Sequence, residues 1–230
     1  VVSHDAYFHS RYATRPDGSE VKSEDPKEYL YTMPYSTIAK YDVGKRPSPD
    51  WPGKEQSPAI KPLATELIDS VENYVKANGL DPMRYNIEIK CRKGKDEGKN
   101  WPEYHELVDE CMELLLSKNL GDRLVVQCID PRALNYMHEK YPQVKLSYLI
   151  RKMDTDWDTY MGRLNFTPDW LSPEFVIVDQ TMVDNCRKAG IRLVPWTVDN
   201  EADIRRILDL HVEAIITNYP DRVLKITRGY

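Results

Sequence analysis

The sequence predicts an α/β protein in the form of a (β/α)8 barrel. Residues 62–230 alternate between segments with the two-residue apolar period of strands and segments with the helical period, joined by short links. Such a run builds either an open doubly wound sheet or a closed barrel. No GxGxxG, GxxxxGKS or GxxxxGKT loop is present, so the nucleotide-binding open sheets are disfavoured and the barrel is favoured.

The predicted elements follow one another in a regular order. Apolar runs predict strands at residues 85–91, 124–128, 146–150, 175–178, 192–197 and 214–217. Apolar stripes at helical spacing predict helices at Leu63, Leu67, Val71 and Tyr74, ending near Gly79; at Tyr104, Leu107, Val108, Cys111 and Leu115, ending near Gly121; at Leu134, Met137 and His138; at Met182, Val183 and Cys186; and at Ile204, Ile207, Leu208 and His211. Six strands and a strand remnant at residues 1–3 are fewer than eight, so closing a barrel requires more strands.

Composition indicates one globular domain over residues 1–230. The chain has 230 residues, is 41% hydrophobic and contains no internal repeat. A net charge of -5 provides no basic surface for nucleic acid, so DNA and RNA are not expected as partners. No apolar stretch approaches the roughly 18 residues of a membrane-spanning helix, and no signal peptide is recognisable, so we expect a soluble chain. The oligomeric state is not predicted.

Residues 6–61 differ from the rest. They are polar and rich in Tyr and Pro, and the prolines of residues 46–52 rule out a helix or a central strand there. We interpret this segment as an insertion of turns and short elements, either lid-like and functional or a decorative loop.

The strand at residues 85–91 carries the first chemical signal. Its alternation places Asn86, Glu88 and Lys90 on one face and apolar side chains on the other. Both faces of a strand inside an α/β protein are normally apolar, so a carboxylate and an ammonium on one face indicate a site for a metal ion and an anion. The alternative is an edge strand with one solvated face.

The four cysteines, at positions 91, 111, 128 and 186, show no CxxC spacing. Buried free thiols are the expected state. Cys91 and Cys128 end two predicted strands, so a disulfide between them is the alternative if the protein is exported.

A second signal stands at the start of the chain, where a short apolar run ends in His4 and Asp5. A histidine at the carboxyl end of a barrel strand is well placed for proton transfer. Together with five further segments this pair resembles the glycerophosphodiester phosphodiesterase family. The segments are Asn-Ile-Glu-Ile-Lys at 86–90, Pro-Trp-Thr-Val at 195–198, Ile-Ile-Thr-Asn-Tyr-Pro-Asp at 215–221, residues 40–44 in the insertion, and the following residues 61–67.

The resemblance implies a barrel enzyme that hydrolyses a glycerophosphodiester to sn-glycerol 3-phosphate and an alcohol, with Ca²⁺ or Mg²⁺ as cofactor. It implies proton transfer by His4, metal binding by Glu88, a phosphate contact from Lys90 and a glycerol pocket wall from Trp196. Gln127 and Asp199 are candidate substrate contacts, and the loop residue His9 is a weaker candidate for the site. His105, His138 and His211 are expected outside the barrel. The substrate class favours an exported or periplasmic location.

The departure from the family lies at the start of the sequence. Family members carry an early strand ending in His-Arg-Gly and a next strand bearing Glu-x-Asp, and neither stands before Val1 here. We therefore expect a chain truncated by one or two βα units; a naturally shortened homologue is the alternative. The competing functions are cleavage of a phospholipid by a related barrel phosphodiesterase, and phosphodiester binding without catalysis. Which histidine is the acid and which the base is not assigned.

Overall fold

The computed structural model describes residues 1–48 and 53–228. The chain divides into two compact units. The first unit comprises Val1–Met83 and Arg92–Asn119, and the second unit comprises Arg84–Cys91 and Leu120–Tyr230. A single domain over residues 1–230 stays a prediction.

The first unit contains the predicted insertion, which has a small core of its own. Its buried residues are Phe8, Ala13, Val21, Leu30, Ile38 and Tyr41. Phe8 and Tyr41 stack with ring centroids 3.8 Å apart, and the Arg15 guanidinium joins Asp25 and Glu28 in ion pairs of 2.6 and 2.7 Å. The segment is therefore folded rather than a bare loop; a lid-like role stays a prediction. Residues 49–52 of the Pro-rich stretch lie outside the described residues.

Among its described residues, the first unit has three α-helices: α1 at Tyr35–Ile38, α2 at Ala64–Ala77 and α3 at Tyr104–Ser117. The position of α2 is as predicted, but its predicted stripe is wrong by one residue. Leu67 and Tyr74 are 42% and 64% exposed, whereas Ile68 and Val75 are buried. Both pairs have the same seven-residue spacing, so periodicity alone does not choose between them. The predicted strand remnant at residues 1–3 is also wrong: Val2 makes one backbone bond, N to Pro62 O at 2.8 Å.

The second unit is built on a parallel five-stranded sheet in the order β1-β2-β3-β4-β5. The strands are β1 at Tyr85–Glu88, β2 at Leu124–Cys128, β3 at Lys145–Ile150, β4 at Trp170–Pro173 and β5 at Arg192–Leu193. The helices are α4 at Pro131–Lys140, α5 at Trp157–Met161, α6 at Gln180–Ala189, α7 at Glu201–Asp209 and α8 at Pro220–Arg228. Four of these helices begin at a side-chain cap, from Asp130, Asp156, Asp179 and Asn200 respectively.

The predicted strand at residues 175–178 is wrong. Phe175–Ile177 is a 3-10 helix, and the strand lies earlier, at Trp170–Pro173. A β-branched run resembles a strand, but here the Phe175 and Val178 carbonyls accept hydrogen bonds from Arg206, and Val176 is 52% exposed. At residues 214–217 no ladder forms; Ile216 instead makes two backbone bonds of 2.9 Å, to Pro195 O and from Val198 N.

The two faces of the sheet differ sharply. Side chains of Val126, Tyr148 and Leu171 lie on the buried apolar face, where α4 packs on β2 and β3 and α6 packs on β5. Strand alternation sends their neighbours in the chain to the opposite face. No described helix is long and apolar enough to cross a membrane.

Candidate active site

The opposite face of the sheet is polar across four strands. The register pairs Glu88 with Gln127 and Gln127 with Ser147, so these three side chains share a face. Ser172 joins them, because Ser147 is paired with Trp170 and Ser172 lies two residues further along the same strand. We call these four residues and Asn86 the polar face; the predicted polar side of the strand at residues 85–91 is thus part of a larger surface.

Hydrogen bonds connect the polar face from strand to strand. Asn86 Nδ2 donates to Gln127 Oε1 at 3.1 Å, and Ser172 Oγ donates to the same oxygen at 3.3 Å. The hydroxyls of Ser147 and Ser172, both fully buried, are 2.7 Å apart. Two donors hold the Gln127 carbonyl oxygen, so the part of this side chain that can donate to a further group is its amide NH2. This geometry suits the predicted substrate contact, which stays a prediction.

Glu88 and Lys90 form an ion pair at the carboxyl end of β1. Lys90 Nζ donates to Glu88 Oε2 at 2.8 Å, and both side chains are about three-quarters buried, at 29% and 26% exposure. The predicted strand at residues 85–91 ends earlier, at Glu88; Ile89 N still bonds to Gln127 O at 2.9 Å, and the chain beyond β1 brings Lys90 back to the Glu88 side chain. The ammonium supplies a fixed positive charge for an anion, and the carboxylate keeps it oriented.

Trp196 lies beyond β5 at the same edge of the sheet, because the carboxyl ends of parallel strands share one edge. Its backbone N donates to Pro173 O at 2.9 Å, and its O accepts from Phe175 N at 2.8 Å. Its indole Nε1 donates to Ser172 O at 2.7 Å. With the indole N–H occupied, the half-buried ring offers an apolar wall rather than a donor.

The Asp199 carboxylate binds the segment at Thr217 and Asn218 through hydrogen bonds. Its carboxylate accepts hydrogen bonds from Thr217 Oγ1 at 3.1 Å and from Asn218 N and Nδ2 at 2.8 and 2.9 Å. The Arg222 guanidinium donates to its backbone carbonyl. These contacts give Asp199 a positioning role for residues 217–218, and its predicted substrate contact stays a prediction.

The first unit carries His4 and His9. His4 Nδ1 is 3.1 Å from Asp5 Oδ1, and Tyr12 Oη donates to Asp5 Oδ2 at 3.0 Å. Burial disfavours the ionised Asp5 carboxylate, but the hydrogen bonds from His4 and Tyr12 outweigh it, and the pKa of Asp5 lies below its usual value. The His9 ring is sandwiched between Tyr7 and Tyr12, with centroids 5.8 Å from each, and its Nδ1 accepts from Arg11 N.

The described residues do not fit a divalent cation by themselves. Across residues 1–48 and 53–228 no group of three or more His, Cys, Asp or Glu side chains is arranged to hold a metal ion. Glu88 offers one carboxylate, already paired with Lys90, whereas Ca²⁺ takes about six to eight oxygen ligands. The described residues alone therefore do not form a complete cation site.

The four cysteines form no disulfide with one another. All four are free thiols, and Cys91, Cys128 and Cys186 are buried. A hydrogen bond from the Cys91 thiol, together with one from the Asp130 backbone N–H, lowers the pKa of Cys128 against the effect of burial. The two strand-end cysteines are thus neighbours, as their positions predict.

The sequence reading missed Ser147 and Ser172. A single serine in an apolar strand does not stand out by composition. Alternation could have identified Ser147, because on the predicted strand at residues 146–150 it lies on the face opposite Leu146 and Tyr148.

Curated relatives match part of the chain. A glycerophosphodiester phosphodiesterase of Bacillus subtilis is 29% identical over 120 residues, which cover 51% of this chain and 41% of the relative. Another, of Caldanaerobacter subterraneus, is 22% identical over 126 residues, covering 54% of this chain and 51% of the relative. The match thus spans about half the length of these curated relatives.

Solved structures show the same fold. A protein of Silicibacter pomeroyi assigned to the glycerophosphoryl diester phosphodiesterases superimposes with a TM-score of 0.84 at 20% identity, covering 100% of this chain and 78% of that one. A phosphodiesterase of Oleispira antarctica, in complex with the product sn-glycerol-3-phosphate, gives a TM-score of 0.67 at 19% identity, covering 97% of this chain and 77% of that one. The predicted α/β barrel class is confirmed. Because the sequence profile of the glycerophosphoryl diester phosphodiesterase family also matches residues 1–222, the chain belongs to that family.

Proposed function

We propose that the complete protein hydrolyses glycerophosphodiesters, releasing sn-glycerol 3-phosphate and an alcohol. The observation that carries this proposal is the Glu88–Lys90 pair at the carboxyl edge of a parallel sheet in a chain of this family. The carboxyl edge is where barrel enzymes place their chemistry. The Oleispira antarctica phosphodiesterase, which shares the fold, was solved with sn-glycerol-3-phosphate as its product.

The proposed chemistry assigns each residue one task. The glycerol hydroxyl next to the phosphate attacks phosphorus, a cyclic phosphodiester forms, and the bond to the alcohol breaks; water then opens the ring. One group takes the proton of the attacking hydroxyl and another protonates the leaving alcohol, and His4 performs one of these transfers. Lys90 stabilises the charge that develops on the phosphate oxygens.

Binding residues complete the proposal. Trp196 offers an apolar wall for the carbon chain of glycerol, and the Gln127 amide donates to an oxygen of the substrate. Glu88 keeps Lys90 oriented and is the carboxylate that would help to hold the cation the family implies. A net charge of -5 makes a local positive group necessary for an anionic substrate.

A headgroup panel tests the proposal. The complete protein is incubated with glycerophosphocholine, glycerophosphoethanolamine, glycerophosphoinositol and an intact diacyl phospholipid, and sn-glycerol 3-phosphate is measured by a coupled dehydrogenase reaction. We expect release from the deacylated diesters. Cleavage of the intact lipid alone would instead identify a phospholipid phosphodiesterase, and binding without release of any product would identify a non-catalytic homologue.

A further inference from the structure

Two anchors hold the chain on either side of His4. Before it, Ser3 Oγ accepts from Lys61 Nζ at 2.6 Å and donates to Asp5 O at 2.5 Å. After it, the two oxygens of the Asp5 carboxylate contact His4 Nδ1 and Tyr12 Oη. The His4 side chain itself is 83% exposed, so packing does not orient the imidazole. Hydrogen bonding through Asp5 is the constraint that remains.

We propose that Asp5 and Tyr12 are positioning residues that fix the tautomer of His4. An ionised carboxylate only accepts hydrogen bonds, so the His4 nitrogen facing it carries the proton. Neutral His4 is then protonated at Nδ1, and Nε2 is the nitrogen free to exchange a proton with the substrate. This inference rests on the proposed function for the transfer itself, but the tautomer is a property of the chain that is measurable without substrate.

Tyr12 determines which Asp5 oxygen faces His4. The Tyr12 hydroxyl donates to Oδ2, which leaves Oδ1 for the imidazole. Within the described residues, Asp5 is the acceptor for this hydroxyl. Burial, followed by the charge of Asp5 and the hydrogen bond to it, raises the pKa of Tyr12, so the phenol stays a donor throughout the working pH range.

Lys61 fixes the backbone that carries the pair. Its side chain is buried, and its ammonium lies over the rings of Phe8 and Tyr12, 5.7 and 5.5 Å from their centroids. Burial lowers the pKa of Lys61, and the charge of Asp5 opposes that shift. Its hydrogen bond to Ser3 ties the start of the chain to residue 61, so the His4 backbone is held independently of the side-chain pair.

The test exploits the difference between a carboxylate and an amide. In Asp5→Asn the amide carbonyl is drawn to the Tyr12 hydroxyl, which needs an acceptor, and the NH2 group therefore faces His4 Nδ1. A donor at that position forces the proton of neutral His4 onto Nε2, the wrong tautomer. The same exchange in a Ser-His-Asp triad lowers kcat by about 10⁴. In Asp5→Asn/Tyr12→Phe the amide is free to turn its carbonyl towards His4 and restore the first tautomer.

Two readouts are applied to the complete protein. Long-range ¹⁵N–¹H spectra, with His4 assigned by its loss in His4→Ala, are expected to show the Nδ1-protonated tautomer in the wild type, the Nε2-protonated tautomer in Asp5→Asn and a return in the double variant. For hydrolysis of glycerophosphocholine, kcat is expected to fall by about 10² or more in Asp5→Asn and to recover at least about tenfold in the double variant. Tyr41→Phe, which removes another buried hydroxyl of the same unit, serves as the control for stability and should leave the tautomer unchanged.

The outcomes separate this inference from the proposed function. An Nε2-protonated His4 in the wild type, which needs no variant to observe, overturns the positioning role even if hydrolysis is fast. An unchanged tautomer in Asp5→Asn, or a double variant no faster than Asp5→Asn, also overturns it. Absence of hydrolysis in the wild type overturns the proposed function, while the spectra still decide the positioning role.

Discussion

Ser172→Ala tests the hydrogen-bonded chain across the polar face. Ser172 Oγ donates to Gln127 Oε1, so its oxygen is the acceptor for the Ser147 hydroxyl, 2.7 Å away. Both serines are 0% exposed, and removing the Ser172 hydroxyl leaves the Ser147 O–H buried without its acceptor. An unsatisfied buried polar group costs about 1 to 3 kcal/mol. The bond to Gln127 is long at 3.3 Å, so most of the loss comes from Ser147.

Ser147→Ala, which removes the other hydroxyl of the pair, serves as the comparison for Ser172→Ala. Ser147→Ala removes a donor but leaves Ser172 bonded to Gln127, so we expect a smaller loss of about 0.5 to 1.5 kcal/mol. The double variant should lose less than the sum of the two, because no hydroxyl remains to be stranded. Urea unfolding measures the free energies, and each kcal/mol should lower Tm by about 2 to 4 °C in a chain of this size. A Ser172→Ala protein within about 0.5 kcal/mol of the wild type, or one that is more stable than Ser147→Ala, would refute this reasoning.

Three further predictions concern the proposed reaction. His4→Ala in the complete protein should lower kcat by about 10² or more with an unchanged circular dichroism spectrum, and near-normal turnover would remove His4 from the chemistry. Trp196→Ala should mainly raise KM, because an apolar wall contributes binding rather than charge stabilisation; a fall in kcat at constant KM would argue against that role. Activity should be lost in chelator and regained with Ca²⁺ or Mg²⁺, and Glu88→Gln should abolish the recovery; full activity in chelator would argue against a cation cofactor.

The sequence predicts a strand or a helix correctly where its apolar pattern is compatible with only one of the two. The strand at Leu124–Cys128 and the helix that carries Met182, Val183 and Cys186 follow from apolar periodicity, and both are observed, the helix at Gln180–Ala189. Trp170–Pro173 was missed because a serine and a proline interrupt its apolar pattern, while the β-branched run after it resembles a strand and is instead held by Arg206. Hydrogen bonds from the distant Arg206 accompany the 3-10 helix at residues 175–177, and the local sequence gives no indication of these bonds.

In the candidate site, too, contacts between residues close in sequence are predictable, and contacts that depend on the fold are not. The two-residue spacing predicts that Glu88 and Lys90 share a side, and their ion pair is observed although β1 ends at Glu88. The hydrogen bond between Gln127 and Ser172 depends on the register between strands, and the local sequence of a strand does not determine that register. The Asp5–Tyr12 contact joins two turns of a segment without periodicity, so only the fold brings these residues together.

Removal of the Lys90 charge is the most direct test of the claim that the substrate phosphate binds at the Glu88–Lys90 pair. The complete protein and its Lys90→Met variant are compared for release of sn-glycerol 3-phosphate from glycerophosphocholine, with Lys188→Met, an exposed lysine on α6, as the matched control. We expect Lys90→Met to lower kcat by about 10² to 10³, the usual effect of removing one group that stabilises developing charge, and Lys188→Met to match the wild type. Equal rates in all three proteins would contradict the placement of the phosphate at the Glu88–Lys90 edge of the sheet.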